Sequence, residues 1–173
     1  TLDNADSTVN ALDSGSTAIT DTFLVTSSAG GTTMTVTVTI SGANDAPTIS
    51  STAVTAATED TVYTYTVTAA DVDSGDTVTL TGTTVPSWAT FTAGTGVLTG
   101  TPLNADVGAN SVVITASDGT ASVTDTFTIT VANTNDAPTI SSTAVTAATE
   151  DTAYTYTVTA ADVDSGDTIT LTG

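Results

Sequence analysis

The sequence predicts an all-β chain built from tandem Greek-key β-sandwiches. Residues 44–82 reappear at 135–173, offset by 91 positions and differing at only two of them. Apolar residues alternate with threonine over short runs, and turn residues separate these runs. No stretch shows the 3.6-residue period of an amphipathic helix. Repeated units of about 91 residues, each with roughly seven short strands, are typical of immunoglobulin-like sandwiches.

One complete unit covers residues 44–134, and its strands can be placed in order. Tyr63, Tyr65 and Val67 alternate with threonines, so we expect them on the core face of a strand. We expect Trp88 to pack in the core or at its rim. The predicted strands are 63–68, 77–81, a hairpin from Trp88 through 93–96 to Leu98, and a last hairpin of 111–117 and 121–132 around Asp118-Gly119.

The last predicted strand contains one acid on its inner face. Val123, Phe127, Ile129 and Val131 recur on a period of two, and Asp125 falls on the same face. We therefore expect a bulge or an exposed strand start at Asp125.

Two incomplete units flank the complete one. Residues 1–43 contain two late strands, around 18–26 and 32–40, with Met34, Val36, Val38 and Ile40 facing in, and residues 135–173 contain the first strands of the next domain. Each flank alone would leave half a core exposed. Either the flanks complete each other between neighbouring molecules, or the chain is a slice of a longer array.

The composition excludes several classes of function. There is no Lys, Arg, His or Cys, against 19 acids and a net charge of −19. The chain therefore lacks an imidazole base, a thiolate and an amine nucleophile. We expect no nucleic-acid partner and no membrane insertion, because anionic partners are bound through cations and no apolar run is long enough to span a bilayer.

The acids gather at the turns between predicted strands, and these turns collect at the two poles of a sandwich. Carboxylates about 4 Å apart repel by roughly 4 kcal/mol per pair at an effective dielectric near 20. Calcium, which takes about six to eight oxygen ligands, relieves this repulsion and is the expected cofactor. The acidic turns are Asn44-Asp45, Asn135-Asp136, Glu59-Asp60, Glu150-Asp151, Asp71-Val72-Asp73, Asp162-Val163-Asp164 and Asp118-Gly119.

Two known families resemble this chain. The segments ATEDTVYTYTV, ADVDSGDT, PSWATFTAGTGVLTGTP and ASDGTASVTDTFTITVANTNDAP resemble cadherin-like repeats of the dystroglycan type, which are common in large bacterial surface proteins. The segments TLDNADSTVNAL, TDTFLVT and TVTVTISGANDAP resemble the tail of a VCBS repeat, found in the same bacterial adhesins. The resemblance implies tandem cadherin-like sandwiches that share calcium at their junctions.

The resemblance also implies which residues share the ions. The Asn135-Asp136 linker would pair with Asp162 and Asp164 ahead and with Glu59 behind, and the Asn44-Asp45 linker would pair with Asp71, Asp73 and Asp118. Asn133 and Gly42 replace the first linker Asp of cadherins, and no Leu-Asp-Arg-Glu segment is present. We therefore expect about one or two ions per junction. The candidate ligands are Asn44, Asp45, Glu59, Asp60, Asp71, Asp73, Asp118, Asn133, Asn135, Asp136, Glu150, Asp162 and Asp164.

Plainer interpretations of these residues stay open. Asp71-Val72-Asp73-Ser74-Gly75-Asp76 could be only a turn, since Asp, Ser and Gly form turns for local reasons. The Asn-Asp-Ala-Pro linkers could be only stiff hinges. Asp118-Gly119 suits a hairpin turn, and Asp106 is expected in a turn without a further role.

The expected function is a calcium-stiffened spacer in an extracellular or cell-surface adhesin, matrix protein or fibre. Its partners would be neighbouring repeats of the same chain or of identical subunits, while other parts of the parent protein would bind cell-surface or polysaccharide ligands. The alternatives are a self-assembling filament subunit with complementing half-domains and a carbohydrate-binding module. We expect no catalysis, because loop acids without a cleft do not provide the facing carboxyl pair of a glycosidase.

Overall fold

The computed structural model describes residues 7–173, so residues 1–6 of the predicted segment 1–43 lie outside the described part. The regular secondary structure of the described chain is almost entirely β-strand, apart from a one-turn helix α1 (Ser7–Asn10) and a 3₁₀ turn at Asn104–Asp106. The strands are β1 (Ile19–Thr26), β2 (Thr33–Ile40), β3 (Thr48–Ile49), β4 (Ala56–Thr58), β5 (Tyr63–Thr66), β6 (Ala69–Ala70), β7 (Thr79–Thr84), β8 (Ala89–Thr92), β9 (Val97–Gly100), β10 (Gly108–Ser117), β11 (Ser122–Ala132), β12 (Thr139–Ile140) and β13 (Ala160–Ala161). None of the helices in this part is long and apolar enough to cross a membrane.

Strands β3 to β11 form the complete sandwich. One sheet has the order β4-β11-β10-β7, with β4 parallel to β11 and the other pairs antiparallel. The opposite sheet has the order β5-β9-β8, and β3 pairs with β6, which follows β5 along the chain. This arrangement confirms the predicted all-β, immunoglobulin-like fold.

The core lies between the two sheets, where the alternating sequence placed it. Tyr63, Tyr65 and Val67 are buried as predicted, and they pack with Leu98 and with inner residues of β10 and β11. Tyr65 meets Phe127 edge to face at 5.5 Å. The tyrosine hydroxyls stay satisfied, since the Tyr63 hydroxyl donates to the Val54 carbonyl at 2.7 Å and the Tyr65 hydroxyl lies 2.9 Å from Ser51 Oγ.

Trp88 packs at the rim of this core, which confirms its predicted position. Its ring meets Tyr63 edge to face at 5.7 Å, and its indole N–H donates to Asn110 Oδ1 at 3.0 Å. The ring is half-buried and its N–H is bonded, as expected for a tryptophan that packs at the rim of a core.

Two details of the predicted strands were wrong. The strand expected at 77–81 is β7, which begins at Thr79 and extends to Thr84. Asp125 does not form a bulge, because β10 and β11 keep an unbroken register in which it faces Ile114, and the irregularity lies between Val113 and Ile114 on the side of β7. Asp125 is half-buried within that register.

Residues 7–43 keep their two predicted strands, residues 135–173 form only part of theirs, and neither flank has a core over the described residues. In the β1–β2 hairpin, Met34 and Val38, which were expected to face in, are largely exposed. In residues 135–173 only β12 and β13 form, and Tyr154 is 54% exposed whereas its counterpart Tyr63 is 5% exposed. Tyr63 lies on β5, which is hydrogen-bonded to β9 in the complete sandwich, whereas no described strand pairs with residues 154–157.

The packing predicts a large difference between two leucines that lie close in sequence. Leu98 is fully buried, so Leu98→Ala should lower the free energy of unfolding by about 2–5 kcal/mol, because it removes contacts and leaves a cavity. Leu103 is 58% exposed, so Leu103→Ala should change it by less than about 0.5 kcal/mol. Urea titration followed by Trp88 fluorescence measures both, and equal losses would contradict the placement of the core.

Candidate metal centres at the domain junctions

The first acidic cluster lies where the preceding segment meets the sandwich. Asp71, Asp73 and Asp76 each present a carboxylate oxygen, and these atoms lie within 4.8 Å of one another. The turn is built locally: the Asp73 N–H donates to Asp71 Oδ1 at 2.9 Å, and Gly75 takes a φ of 107°, which favours glycine.

The linker and the β10–β11 turn join this cluster. The Asp45 N–H donates to Asp73 Oδ2 at 2.6 Å, and Asn44 Nδ2 donates to Asp118 Oδ2 at 3.1 Å. The other oxygen of Asp118 accepts the N–H groups of Thr120 and Ala121, each at 2.6 Å. The structure thus gathers at one pole the acids that were predicted to meet the Asn44-Asp45 linker.

Two oxygens of this cluster have no hydrogen-bond partner. Asp71 Oδ2 and Asp73 Oδ1 are buried and unpaired, and Asp73 as a whole is 4% exposed. The chain has no Lys, Arg or His that could neutralise them. Burying unpaired carboxylate oxygens is unfavourable, so the cluster has the chemistry of a site for a hard cation.

The second cluster lies at the junction where residues 135–173 meet the sandwich. Asp162, Asp164 and Asp167 repeat the arrangement, with oxygens within 4.8 Å of one another. The Asp136 N–H donates to Asp164 Oδ2 at 2.6 Å. Asp164 Oδ1, unlike its counterpart in the first cluster, accepts the amide groups of Asn133 at 2.9 Å and Asn104 at 3.0 Å.

A third group of acids faces the second cluster from the preceding domain. Glu59, Asp60 and Asp136 present oxygens within 4.8 Å of one another, and Glu59 is 2% exposed. Glu59 Oε2 accepts the Thr134 N–H at 3.2 Å. Asp60 adopts a φ of 57°, a conformation that Asp tolerates better than most residues. Acids on both sides of the linker therefore converge on one junction.

Desolvation and crowding change the pKa of the acids at these junctions. Desolvation first, and then the charges of Asp164, Asp60 and Asp162, raise the pKa of Asp136. Desolvation, followed by the charges of Asp13, Asp71, Asp73 and Asp118, raises the pKa of Asp76. Hydrogen bonds from the backbone N–H groups of Ala121 and Thr120 lower the pKa of Asp118.

Some predicted ligands lie apart from the acidic groups. Glu150 is exposed and belongs to none of the three groups formed by the described residues. The Asn135 amide is also exposed and donates to the carbonyl of Asp136 at 2.6 Å rather than to an acid.

Four further residues lie at the junctions outside the predicted ligand set. Asp76 and Asp167 close the repeated Asp-Val-Asp-Ser-Gly-Asp motif, and that repetition was a usable signal. Asp13 and Asn104 carried no signal, because only the tertiary fold brings Asp13 near Asp76 and places Asn104 against Asp164.

Comparisons with known proteins identify the domain and leave its role open. Residues 46–132, just over half of the chain, match the family described as "Putative Ig domain". No curated protein sequence matches the chain significantly.

Among solved structures, an endo-fucoidan hydrolase of glycoside hydrolase family 107 is 27% identical, with 68% of this chain and 19% of that chain covered and a TM-score of 0.42. Extracellular cadherin domains 3–6 of protocadherin gamma B2 are 18% identical, with 59% and 30% covered and a TM-score of 0.42. The chain thus spans less than a third of either structure. Both TM-scores are low, so these likenesses say nothing about its activity or ligands.

Two acids at the first junction should titrate in opposite directions. In metal-free protein, the Asp76 midpoint should lie above the usual 3.8 and the Asp118 midpoint below it. Asp118 therefore contributes stability above its usual pKa, and that contribution is lost as the pH falls through its lowered pKa. Protonation of Asp76 instead relieves repulsion as the pH falls through its raised pKa. Carboxyl carbon NMR titration measures both, and shifts in the same direction would contradict this geometry.

Proposed function

The chain belongs to the Ig-domain family that matches residues 46–132, and we propose that it is a calcium-stiffened spacer module of an extracellular adhesin, matrix protein or surface fibre. The observation that carries this proposal is the pair of buried, unpaired oxygens, Asp71 Oδ2 and Asp73 Oδ1, in a chain without any cationic side chain. Because no side chain of the chain can neutralise these two oxygens, a cation from solution would be the group that does so.

The donor set of the first junction suits calcium. It consists of oxygen atoms, and calcium takes about six to eight of these in a flexible geometry. Asp71, Asp73 and Asp76 would hold the ion, with Asp118 and the Asn44 amide oxygen close by. Bound calcium would supply the positive charge that the cluster lacks.

The second junction offers carboxylates from both sides of the linker. Asp162, Asp164 and Asp167 belong to the segment that follows, and Glu59 and Asp60 belong to the preceding sandwich. Asp136 lies between them in the linker. A cation shared by these groups would further stiffen the contact between the two domains, and a series of such junctions would then behave as a rod rather than a flexible tether.

The remaining features agree with a structural role. The charge of −19 calls for a medium that supplies cations, as extracellular fluid does, and it disfavours nucleic acid as a partner. We infer no catalytic activity, because the chain has no Lys, His or Cys side chain that could act as a base or nucleophile.

Calcium should raise the thermal midpoint of the 173-residue chain. At about 100-fold excess over the dissociation constant, one site adds roughly 2.7 kcal/mol, or roughly 10–20 °C in the midpoint of the complete domain of about 91 residues. Asp73→Asn should abolish this gain, and without calcium it should raise the midpoint because it removes a repelling charge. Differential scanning calorimetry in calcium and in excess chelator measures both effects.

Asp21→Asn is the matched control. It removes the same charge from an exposed position on β1 that belongs to none of the three acidic groups of the described residues, so this variant should respond to calcium like the parent chain. Sodium chloride at equal ionic strength controls for screening. Equal midpoints in calcium and in sodium chloride would overturn the calcium proposal, and small-angle scattering that shows unchanged flexibility would overturn the stiffening.

Uncovered apolar faces favour a second candidate, a self-assembling filament subunit. Phe23, Met34 and Val38 lie on one face of the β1–β2 hairpin and are exposed, as is Tyr154 in the following unit. In the complete sandwich, the counterpart of Tyr154 is covered by a core to which the β10–β11 hairpin contributes. The β1–β2 hairpin leads into an equivalent Asn-Asp-Ala-Pro linker, so a second copy could supply it to this face.

Sedimentation velocity distinguishes this candidate. Association that rises with concentration should be lost in Phe23→Asp, which charges the apolar face of the hairpin. Leu24→Asp is the control, since Leu24 is 65% exposed on the opposite face. A chain that remains monomeric at every concentration would eliminate the filament.

A further inference from the structure

We propose that the two junctions are held in different ways although they share the same acidic motif. The second is closed by an amide clamp, in which the side-chain amides of Asn104 and Asn133 donate to Asp164 Oδ1. This clamp docks the domains without a cation. At the first, the equivalent oxygen, Asp73 Oδ1, has no amide partner among the described residues, and a cation would neutralise it. The cation dependence of the first junction rests on the proposed calcium function, whereas the amide clamp of the second junction does not.

Comparison of the two copies isolates the difference. Both contain Asp-Val-Asp-Ser-Gly-Asp, and in both the linker N–H bonds the second acid: Asp45 donates to Asp73 Oδ2 and Asp136 donates to Asp164 Oδ2, each at 2.6 Å. The remaining oxygen differs. Asp73 Oδ1 is buried without a partner, whereas Asp164 Oδ1 accepts two amides.

The first junction cannot acquire the clamp, because the backbone occupies its place. Gly42 stands where the second junction has Asn133. A Cβ at Gly42 would collide with the carbonyl oxygens of Leu12 and Asp13. The same loop accepts the Ser74 N–H through the Ala11 carbonyl at 3.0 Å, and its Asp13 carboxylate adds negative charge near Asp76. At the first junction the preceding segment therefore contributes an acid, Asp13, whereas at the second junction the sandwich contributes the amides of Asn104 and Asn133.

The clamp is positioned by the 3₁₀ turn that follows β9. Asp106 Oδ2 accepts the Leu103 N–H at 3.0 Å, and the Asp106 N–H donates to the Leu103 carbonyl at 2.8 Å, which holds Asn104 at the pole of the sandwich. Asn104 belongs to the preceding domain and Asp164 to the next unit, so their bond joins the two. Because its acceptor is a carboxylate that is 7% exposed, the bond is of the stronger, charge-assisted kind.

The consequence is an array with two kinds of hinge. Removing calcium should loosen the first junction, because Asp73 Oδ1 is then buried without any partner. The second should stay docked through its amides. A repeat chain could therefore bend at chosen junctions when calcium falls, with the choice made by the residues opposite the acidic motif.

The linker amides of Asp45 and Asp136 are matched reporters for this inference. Each lies within Asn-Asp-Ala, so the two have the same intrinsic exchange rate, and each donates to the corresponding carboxylate. Hydrogen exchange followed by NMR on the whole chain therefore compares the opening of the two junctions directly. In excess chelator, the Asp45 amide should exchange at least about tenfold faster than the Asp136 amide, the ratio expected for one charge-assisted bond. Calcium should slow exchange of the Asp45 amide more than exchange of the Asp136 amide.

Two variants test the clamp. Asn104→Ala removes one donor, and Asn133→Gly reproduces the residue found at position 42. In chelator, each variant should raise the exchange rate of the Asp136 amide at least about tenfold, toward the rate of the Asp45 amide. The Asp45 rate should not change, and it reports in the same molecule that the sandwich remains folded.

The outcomes separate this inference from the proposed function. Equal exchange rates of the Asp45 and Asp136 amides in chelator would overturn the clamp, even if calcium protects Asp45. An Asp136 exchange rate that neither substitution changes would overturn it as well. If calcium changes neither rate while the difference in chelator persists, the clamp stands and the calcium-dependent half fails with the proposed function.

Discussion

Negative charge without any positive side chain is the constraint on which this molecule depends. Each of its 19 acids must be solvated, hydrogen-bonded by neutral groups or matched by a cation from solution, because no internal ion pair with Lys, Arg or His can form. The fold leaves most acids exposed or half-buried, and it buries Glu59, Asp73 and Asp164. These three lie at the junctions, so the electrostatic problem and the mechanical contact between domains coincide.

The sandwich creates this coincidence through its topology. Its strands run between two poles, and the turns that connect them present the acidic motifs at the ends that meet neighbouring units. The apolar core from Tyr63 to Val131 makes the body rigid, while the outer faces are covered with threonine, which suits exposed strands and adds no charge. The properties of an array of such bodies then depend on the few residues at each junction.

Duplication of a motif did not produce duplicate sites. Asp73 and Asp164 occupy equivalent positions and bond equivalent linker amides, yet the groups that face them differ. A loop backbone packs over Gly42 at the first junction, and amide side chains from a 3₁₀ turn and the linker meet Asp164 at the second. The environment of a repeated acid is thus set by its neighbour in the array, and for this reason tandem units of almost identical sequence can differ in their response to cations.

The sequence by itself determined the fold class, the repeat, the core tyrosines and the gathering of acids at turns, because alternation, turn residues and composition act over a few neighbouring positions. It also placed both late hairpins, which depend on Gly96 and on the Asp118-Gly119 turn. It also indicated that each flank alone would leave half a core exposed, and Met34 and Tyr154 are exposed in this way. Only the tertiary structure decided that Asn104 reaches Asp164 while Asp73 Oδ1 stays unpaired, because both facts depend on contacts between units whose separation in sequence carries no local signal.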